Sequence, residues 1–125
     1  MFRNPKVLVV EDNIALLMLY VKALKSLNFH VDPVASLGNA LELVNHKTYD
    51  IIICDMRLNG EHGTELLAHL RDTLNIGTEV IIVSGEDHYR ETCHELGFDL
   101  FMTKPVSMRE LKTLVSRLAQ NIQQA

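Results

Sequence analysis

Five polar residues of this sequence could carry out chemistry together if the fold brought them to one place. They are three carboxylates, a hydroxyl and an ammonium: Glu11, Asp12, Asp55, Ser84 and Lys104. Carboxylates held close together repel one another, so either their pKa values rise or a cation neutralises them. Mg²⁺ fits such oxygen ligands well. A carboxylate beside that ion can attack phosphorus, and an ammonium can neutralise charge during the transfer.

The apolar pattern of the chain predicts how these distant residues meet. Short β-branched segments alternate with helical patterns five times, which is typical of βα units that form a parallel sheet. The predicted strands cover residues 6–11, 29–35, 50–55, 79–84 and 99–103. In an open parallel sheet, ligands bind beyond the carboxyl ends of the strands. All five candidate residues lie at or just after such ends.

Helices are predicted between the strands and after the last one. Three of them cover residues 37–46, 63–74 and 88–96, and Gly97 ends the third. The first helix can take its N-cap from Asp12 or Asn13. The last helix begins with Ser107 and Glu110 spaced as a capping box.

The first helix carries two apolar stripes. The stripe predicted to face the core consists of Leu16, Leu19, Tyr20, Ala23, Leu24 and Leu27. The second stripe, on an adjacent face, consists of Ile14, Leu17, Met18 and Val21. Two interpretations remain open for it: burial under a neighbouring loop, or an exposed surface for a partner.

Length and charge narrow the class of protein. A chain of 125 residues with net charge -4 predicts one domain, with a core over about residues 6–119 and a frayed tail over residues 120–125. Clustered Lys and Arg are missing, which argues against nucleic-acid binding. The apolar stretches are shorter than the roughly 20 residues of a membrane span. Without a secretory signal, we expect a cytoplasmic location.

The candidate residues and their surroundings resemble the response-regulator receiver domains of two-component signalling. The resemblance covers the chain from Val7 to about Leu118. It rests on Glu11-Asp12, Ile51-Ile52-Ile53-Cys54-Asp55, Gly63, Ser84-Gly85 and Phe101-Met102-Thr103-Lys104-Pro105. The expected fold is therefore the flavodoxin-like, doubly wound α/β fold: a five-stranded parallel sheet of order 2-1-3-4-5 with helices on both faces.

The resemblance implies that Asp55 accepts a phosphoryl group. It also implies that Glu11, Asp12, Asp55 and the backbone carbonyl of Arg57 hold Mg²⁺. The donor would be a histidine kinase or a histidine phosphotransfer protein. Such a domain assists its own phosphorylation and dephosphorylation but is a signalling module rather than an enzyme.

Four further residues receive roles from the resemblance. Lys104 would pair with the phosphoryl group, and Pro105 would follow a peptide bond that is usually cis. Ser84 would donate its hydroxyl to a phosphoryl oxygen, and Phe101 would turn inward when Ser84 moves. These movements would change the surface formed by helix 4, strand 5 and helix 5. That surface, or the apolar face of helix 1, could bind a second copy or a downstream effector.

Four positions depart from or vary within the family pattern. Asn59 stands where the family often has Pro, so we expect a looser turn after strand 3. Arg57 and Glu86 occupy two variable rim positions, where their opposite charges could form a lid that slows phosphoryl hydrolysis. Phe101 lacks the hydroxyl of Tyr, so its inward state is expected to be populated before phosphorylation.

Other functions fit the sequence less well. An Asp-nucleophile phosphatase would need a second Asp two residues after the nucleophile, where this chain has Arg57. A flavin-binding relative would need a loop rich in Ser, Thr and Gly after strand 1, where the chain has Glu11-Asp12-Asn13-Ile14. The stronger alternative is a receiver-fold interaction module that is not phosphorylated in the cell.

Overall fold

Five parallel strands form the central sheet. The computed structural model describes residues 4–73, 77–86 and 88–124, with side chains as far as residue 121. The strands are β1 (Lys6–Val10), β2 (His30–Val34), β3 (Ile51–Asp55), β4 (Glu79–Ser84) and β5 (Leu100–Thr103). Their order is β2-β1-β3-β4-β5, which confirms the predicted doubly wound arrangement. β4 has the predicted bounds, and the other four strands are one or two residues shorter.

Helices cover both faces of this sheet. They are α1 (Ile14–Lys25), α2 (Leu37–His46), α3 (Thr64–Thr73), α4 (Tyr89–Glu95) and α5 (Met108–Gln124). Successive strand side chains point to opposite faces. Val7 and Val9 therefore pack with α1 and α5, whereas Leu8 and Val10 pack with α2, α3 and α4. None of the described helices is long and apolar enough to cross a membrane.

Most helices begin and end where the capping residues in the sequence predict. Asn13 caps α1 through its side-chain oxygen, which accepts from the amide of Leu16 at 3.0 Å. The hydroxyl of Ser107 accepts from the amide of Glu110 at 3.3 Å, and Gly97 has a φ of 91° after α4. Leu74, the predicted end of the helix over residues 63–74, lies outside the described residues. α5 continues to Gln124, into the segment predicted to fray.

The stripe of α1 that was predicted to face the core wrongly includes Leu19 and wrongly omits Leu17. Leu17, Tyr20 and Leu24 are buried, whereas Leu19 is 52% exposed. The buried residues are spaced by three and four positions, so they share one side of the helix. Leu19 directly precedes Tyr20 and is rotated by about 100° away from it. Ile14 and Met18 remain at the surface, each 59% exposed.

A short antiparallel hairpin follows β3, where the sequence analysis expected a loose turn. This rim hairpin pairs Arg57–Leu58 with Glu61–His62. Its two-residue turn has φ of 49° at Asn59 and 82° at Gly60. Asn-Gly favours a type I′ turn, in which both residues need positive φ. The expectation of a looser turn was therefore wrong, because Asn59 and Gly60 form a defined hairpin turn at this position.

Candidate functional site

Three carboxylates meet at the carboxyl ends of β1 and β3. The parallel register pairs Val10 with Cys54, so the chain continues from these neighbours into Glu11 and Asp55. Each of Glu11, Asp12 and Asp55 offers one carboxylate oxygen, and these three atoms lie within 4.8 Å of one another. Glu11 is 1% exposed and Asp55 is 3% exposed, while Asp12 is half-buried.

Lys104 reaches this carboxylate cluster from the end of β5. Its Nζ lies 2.6 Å from Asp55 Oδ2 and 3.8 Å from Glu11 Oε1. The other oxygen of Asp55, Oδ1, accepts from the backbone amide of Arg57 at 3.2 Å. The peptide bond between Lys104 and Pro105 is cis. The four residues Glu11, Asp12, Asp55 and Lys104 are called the carboxyl-end cluster below.

Glu11 is the least satisfied member of the carboxyl-end cluster. Its Oε2 accepts from the amide of Asn13 at 3.1 Å, but its Oε1 has no hydrogen-bond partner among the described residues. Burial, together with the charge of Asp55, raises the pKa of Glu11 from 4.5 to about 7. Burial opposes the charge of Lys104, but the bond and charge of Asp55 outweigh it and raise the pKa of Lys104. A cation would relieve the carboxylate repulsion.

Ser84 is the last residue of β4, and Phe101 lies on β5, three residues before Lys104. The hydroxyl of Ser84 donates to the carbonyl of Glu86 and accepts from the amide of Glu86, both at 3.0 Å. It therefore holds the first residues after β4. The Phe101 ring is half-buried against the core that includes Tyr89 and Cys93. The guanidinium of Arg90 lies 4.6 Å from the centre of that ring.

The rim of the site is built by the rim hairpin and the loop after β4. Arg57 and Glu86 form an ion pair at 3.1 Å. His88 Nδ1 also approaches Glu86, at 3.4 Å. At the hairpin tip, the backbone amide of Asn59 donates to Asp12 Oδ2 at 2.9 Å. A side chain at Gly63, just after the hairpin, would meet the carbonyl oxygen of Asp55 at 2.6 Å, which explains why glycine is required there.

Sequence reasoning did not identify several residues that shape the site. His62 Nδ1 and the hydroxyl of Tyr89 are hydrogen-bonded at 2.6 Å, which ties the rim hairpin to α4. No local pattern predicts a contact between two such distant polar side chains. The dipeptide Asn59-Gly60, in contrast, is a hairpin signal that the sequence does contain. Tyr20 was predicted only as a core residue; it is 1% exposed, and burial together with the charges of Glu11 and Asp55 raises the pKa of its phenol.

The site as a whole is an open depression of about 860 Å³ at the carboxyl edge of the sheet. Oxygen ligands, a buried carboxylate and a paired ammonium meet there, which is an arrangement suited to phosphoryl chemistry. The fold and the site thus define a doubly wound α/β protein whose site lies at the strand ends, where this fold binds its ligands.

Comparison with known proteins identifies the family. Residues 7–116 match the family described as the response regulator receiver domain. The chain belongs to this family, in which phosphorylation and Mg²⁺ binding are typical and which acts as a signalling module.

Individual relatives agree with this assignment. The nisin biosynthesis regulatory protein NisR of Lactococcus lactis is 31% identical over 119 residues, covering 94% of this chain and 50% of that protein. The hybrid signal transduction histidine kinase L of Dictyostelium discoideum is 27% identical over 93% of this chain, which corresponds to 7% of the kinase. The receiver domain of response regulator 1452 from Francisella has a TM-score of 0.84 and 30% identity, covering 95% of this chain and 99% of that structure. This chain therefore spans half or less of the two curated relatives.

Proposed function

We propose that this domain accepts a phosphoryl group on Asp55 from a histidine kinase or a histidine phosphotransfer protein. The observation that carries the proposal is the setting of Asp55. Its carboxylate is 3% exposed, bonds Lys104 at 2.6 Å and lies within 4.8 Å of oxygens from Glu11 and Asp12. The cytoplasmic location expected from the sequence is part of the same proposal.

Mg²⁺ fits the donor set of the carboxyl-end cluster. Oε1 of buried Glu11 has no hydrogen-bond partner among the described residues, and a carboxylate oxygen of each of Asp12 and Asp55 lies within 4.8 Å of one from Glu11. Glu11, Asp12, Asp55 and the backbone carbonyl of Arg57 would hold the ion. When bound, it would neutralise the carboxylates and the phosphoryl oxygens. Hard oxygen ligands of this kind favour Mg²⁺ over softer metals.

The chain's own residues supply the rest of the transfer. A carboxylate oxygen of Asp55 forms the new bond to phosphorus while the P–N bond of the donor phosphohistidine breaks. The electron pair of that bond leaves with the imidazole nitrogen. Lys104 Nζ, already beside Asp55, pairs with the phosphoryl oxygens as they arrive. Arg57 and Glu86 bridge the rim and would limit the access of water to the product.

Ser84 and Phe101 would transmit the change. To donate to a phosphoryl oxygen, the Ser84 hydroxyl must release the carbonyl of Glu86, which would free the backbone there to move. Phe101 packs against the α4 side of the core and would occupy the space that Ser84 leaves. The readout surface would consist of α4, β5 and α5, and it would bind an effector or a second copy.

Phosphorylation by a small phosphodonor tests this function directly. Intact mass measured after incubation with acetyl phosphate and Mg²⁺ should increase by one phosphoryl group in the wild type. Asp55→Asn should gain nothing, and a chelator should abolish the wild-type gain. The amide keeps the shape of the side chain but removes the nucleophilic charge. An unmodified wild type would instead support the alternative, an interaction module that is not phosphorylated.

The exposed apolar residues of α1 belong to the same proposal as a contact for the phosphodonor protein. Ile14 and Met18 are exposed and share one face of α1, whose N-cap Asn13 lines the depression. A partner that delivers a phosphoryl group to Asp55 must contact the edge of this depression. Met18→Glu should slow transfer from a phosphorylated kinase but leave labelling by acetyl phosphate unchanged. Equal transfer rates from the kinase would contradict a role for this face.

A further inference from the structure

The rim hairpin is fixed at its tip, its side and its base. At the tip, the amide of Asn59 bonds Asp12. At the side, the Arg57 guanidinium pairs with Glu86. At the base, His62 Nδ1 bonds the hydroxyl of Tyr89 at 2.6 Å. The first two contacts involve the proposed metal site and its rim, whereas the third leads into α4.

The ladder of the rim hairpin links the third contact to the site. His62 lies directly opposite Arg57 in the antiparallel register. Residues paired across such a ladder move together, because their backbones are hydrogen-bonded or in close contact. The backbone carbonyl of Arg57 is the one proposed Mg²⁺ ligand that no side chain supplies. Its position therefore depends on how the hairpin is held.

Tyr89 can hold the rim hairpin firmly because it is itself immobilised. It is the first residue of α4, is 5% exposed and packs in the core with Cys93 and Met56. Leu58 of the hairpin is 1% exposed in the same core. His62, in contrast, is exposed, and its side chain is joined to α4 by the hydrogen bond to the Tyr89 hydroxyl.

We infer that Tyr89 and His62 are positioning residues for the metal site, and that they act through the rim hairpin on the carbonyl of Arg57. This inference rests on the proposed Mg²⁺ binding and extends it to residues that do not touch the ion. Because coupling between two sites is reciprocal, binding of Mg²⁺ also restrains the first turn of α4.

Titration calorimetry with Mg²⁺ on the whole chain tests this inference. Tyr89→Phe removes one hydroxyl and should weaken Mg²⁺ binding roughly three- to tenfold, the range that one net hydrogen bond supports. His62→Leu should have a similar effect, and the double variant should bind no more weakly than either single variant. Hydrogen exchange without metal gives a second readout, in which the amides of Asn59 and Gly63 should exchange faster in Tyr89→Phe.

The matched control is Tyr49→Phe, which removes a similarly short phenol bond, to Asp32 at 2.7 Å, away from the site. It should leave both Mg²⁺ affinity and hairpin exchange unchanged. Wild-type affinity and exchange in Tyr89→Phe, or additive effects in the double variant, would overturn the inference while leaving the metal site intact. A wild type that binds no Mg²⁺ would overturn the proposed metal site itself, and the inference with it.

Discussion

Polar side chains cluster near both ends of the strands, and their hydrogen bonding differs. The amino-end cluster consists of Asp32, Lys47 and Tyr49. Asp32 Oδ2 accepts from the Tyr49 hydroxyl at 2.7 Å and from Lys47 Nζ at 3.2 Å. In the carboxyl-end cluster, three carboxylates share one ammonium, and Glu11 Oε1 has no hydrogen-bond partner in the described part of the chain.

The pKa values of Asp32 in the amino-end cluster and Glu11 in the carboxyl-end cluster shift in opposite directions. The Tyr49 hydroxyl, followed by Lys47, lowers the pKa of Asp32 below its usual 3.8. Burial raises the pKa of Glu11 to about 7. Folding therefore favours the ionised form of Asp32 but the protonated form of Glu11. The amino-end cluster is complete in itself, whereas the carboxyl-end cluster is arranged for a ligand that brings positive charge.

Replacement of Glu11 should give the largest effect on stability. Between pH 4.5 and about 7, Glu11 is protonated in the folded state but ionised in the unfolded state. Its contribution is full below pH 4.5 and is lost as the pH rises through 7, up to about 3 kcal/mol. Without metal, Glu11→Gln should thus unfold at higher urea concentrations than the wild type above pH 7. Parallel curves of unfolding free energy against pH would contradict this.

Asp32→Asn is the matched change in the amino-end cluster, and it should have the opposite sign. Its contribution is present above pH 3.8 and is lost as the pH falls through the lowered pKa of the folded state. The variant should therefore be less stable than the wild type at pH 7, with the difference vanishing in acid. Because Asp32 is 39% exposed, water screens it, and the loss should stay below about 1 kcal/mol.

Stabilisation by Mg²⁺ should depend on the carboxyl-end cluster and not on the amino-end cluster. This effect should be smaller than that of Glu11→Gln. Free Mg²⁺ at ten times its dissociation constant should stabilise the wild type by about 1.4 kcal/mol in urea unfolding. Asp12→Asn removes a ligand charge and should lose most of that gain. Asp32→Asn should keep all of it, despite its lower starting stability. A gain that is equal in both variants would mean that the ion does not bind at the carboxyl-end cluster.

The sequence predicted the carboxyl-end cluster because its placement follows from the strands. β-Branched segments define the parallel sheet, and the residues that follow them must lie along one edge. Glu11, Asp55, Ser84 and Lys104 were found in this way. The same reasoning does not predict the hydrogen bond of Tyr49 to Asp32, since neither residue ends a strand and the contact spans 17 positions.

The surface features were harder to predict, for two physical reasons. α1 is apolar on most of its circumference, so its pattern does not determine whether Leu17 or Leu19 faces the sheet. The shape of the rim hairpin depends on the positive φ of Asn59 and Gly60, a property of turn residues that hydrophobic periodicity does not contain. The bond between His62 and Tyr89 then follows from tertiary structure alone.

Two exposed ion pairs provide the finest comparison. Arg57 with Glu86 at 3.1 Å and Lys47 with Asp32 at 3.2 Å have similar lengths and exposures. Exposed pairs contribute at most about 1 kcal/mol to stability. Arg57→Ala and Lys47→Ala should therefore change the free energy of unfolding by similar, small amounts.

Only the first of these pairs bridges the rim of the proposed phosphorylation site. After removal of the phosphodonor, Arg57→Ala should lose its phosphoryl group a few-fold faster than the wild type, equivalent to less than about 1 kcal/mol of barrier. Lys47→Ala should decay at the wild-type rate, as followed by intact mass over time. Equal decay in all three proteins would show that the Arg57 pair has no more influence on water access than its counterpart at the other end. Faster loss of the phosphoryl group in Arg57→Ala alone would show that the Arg57 pair protects this group, although it contributes no more to stability than the Lys47 pair.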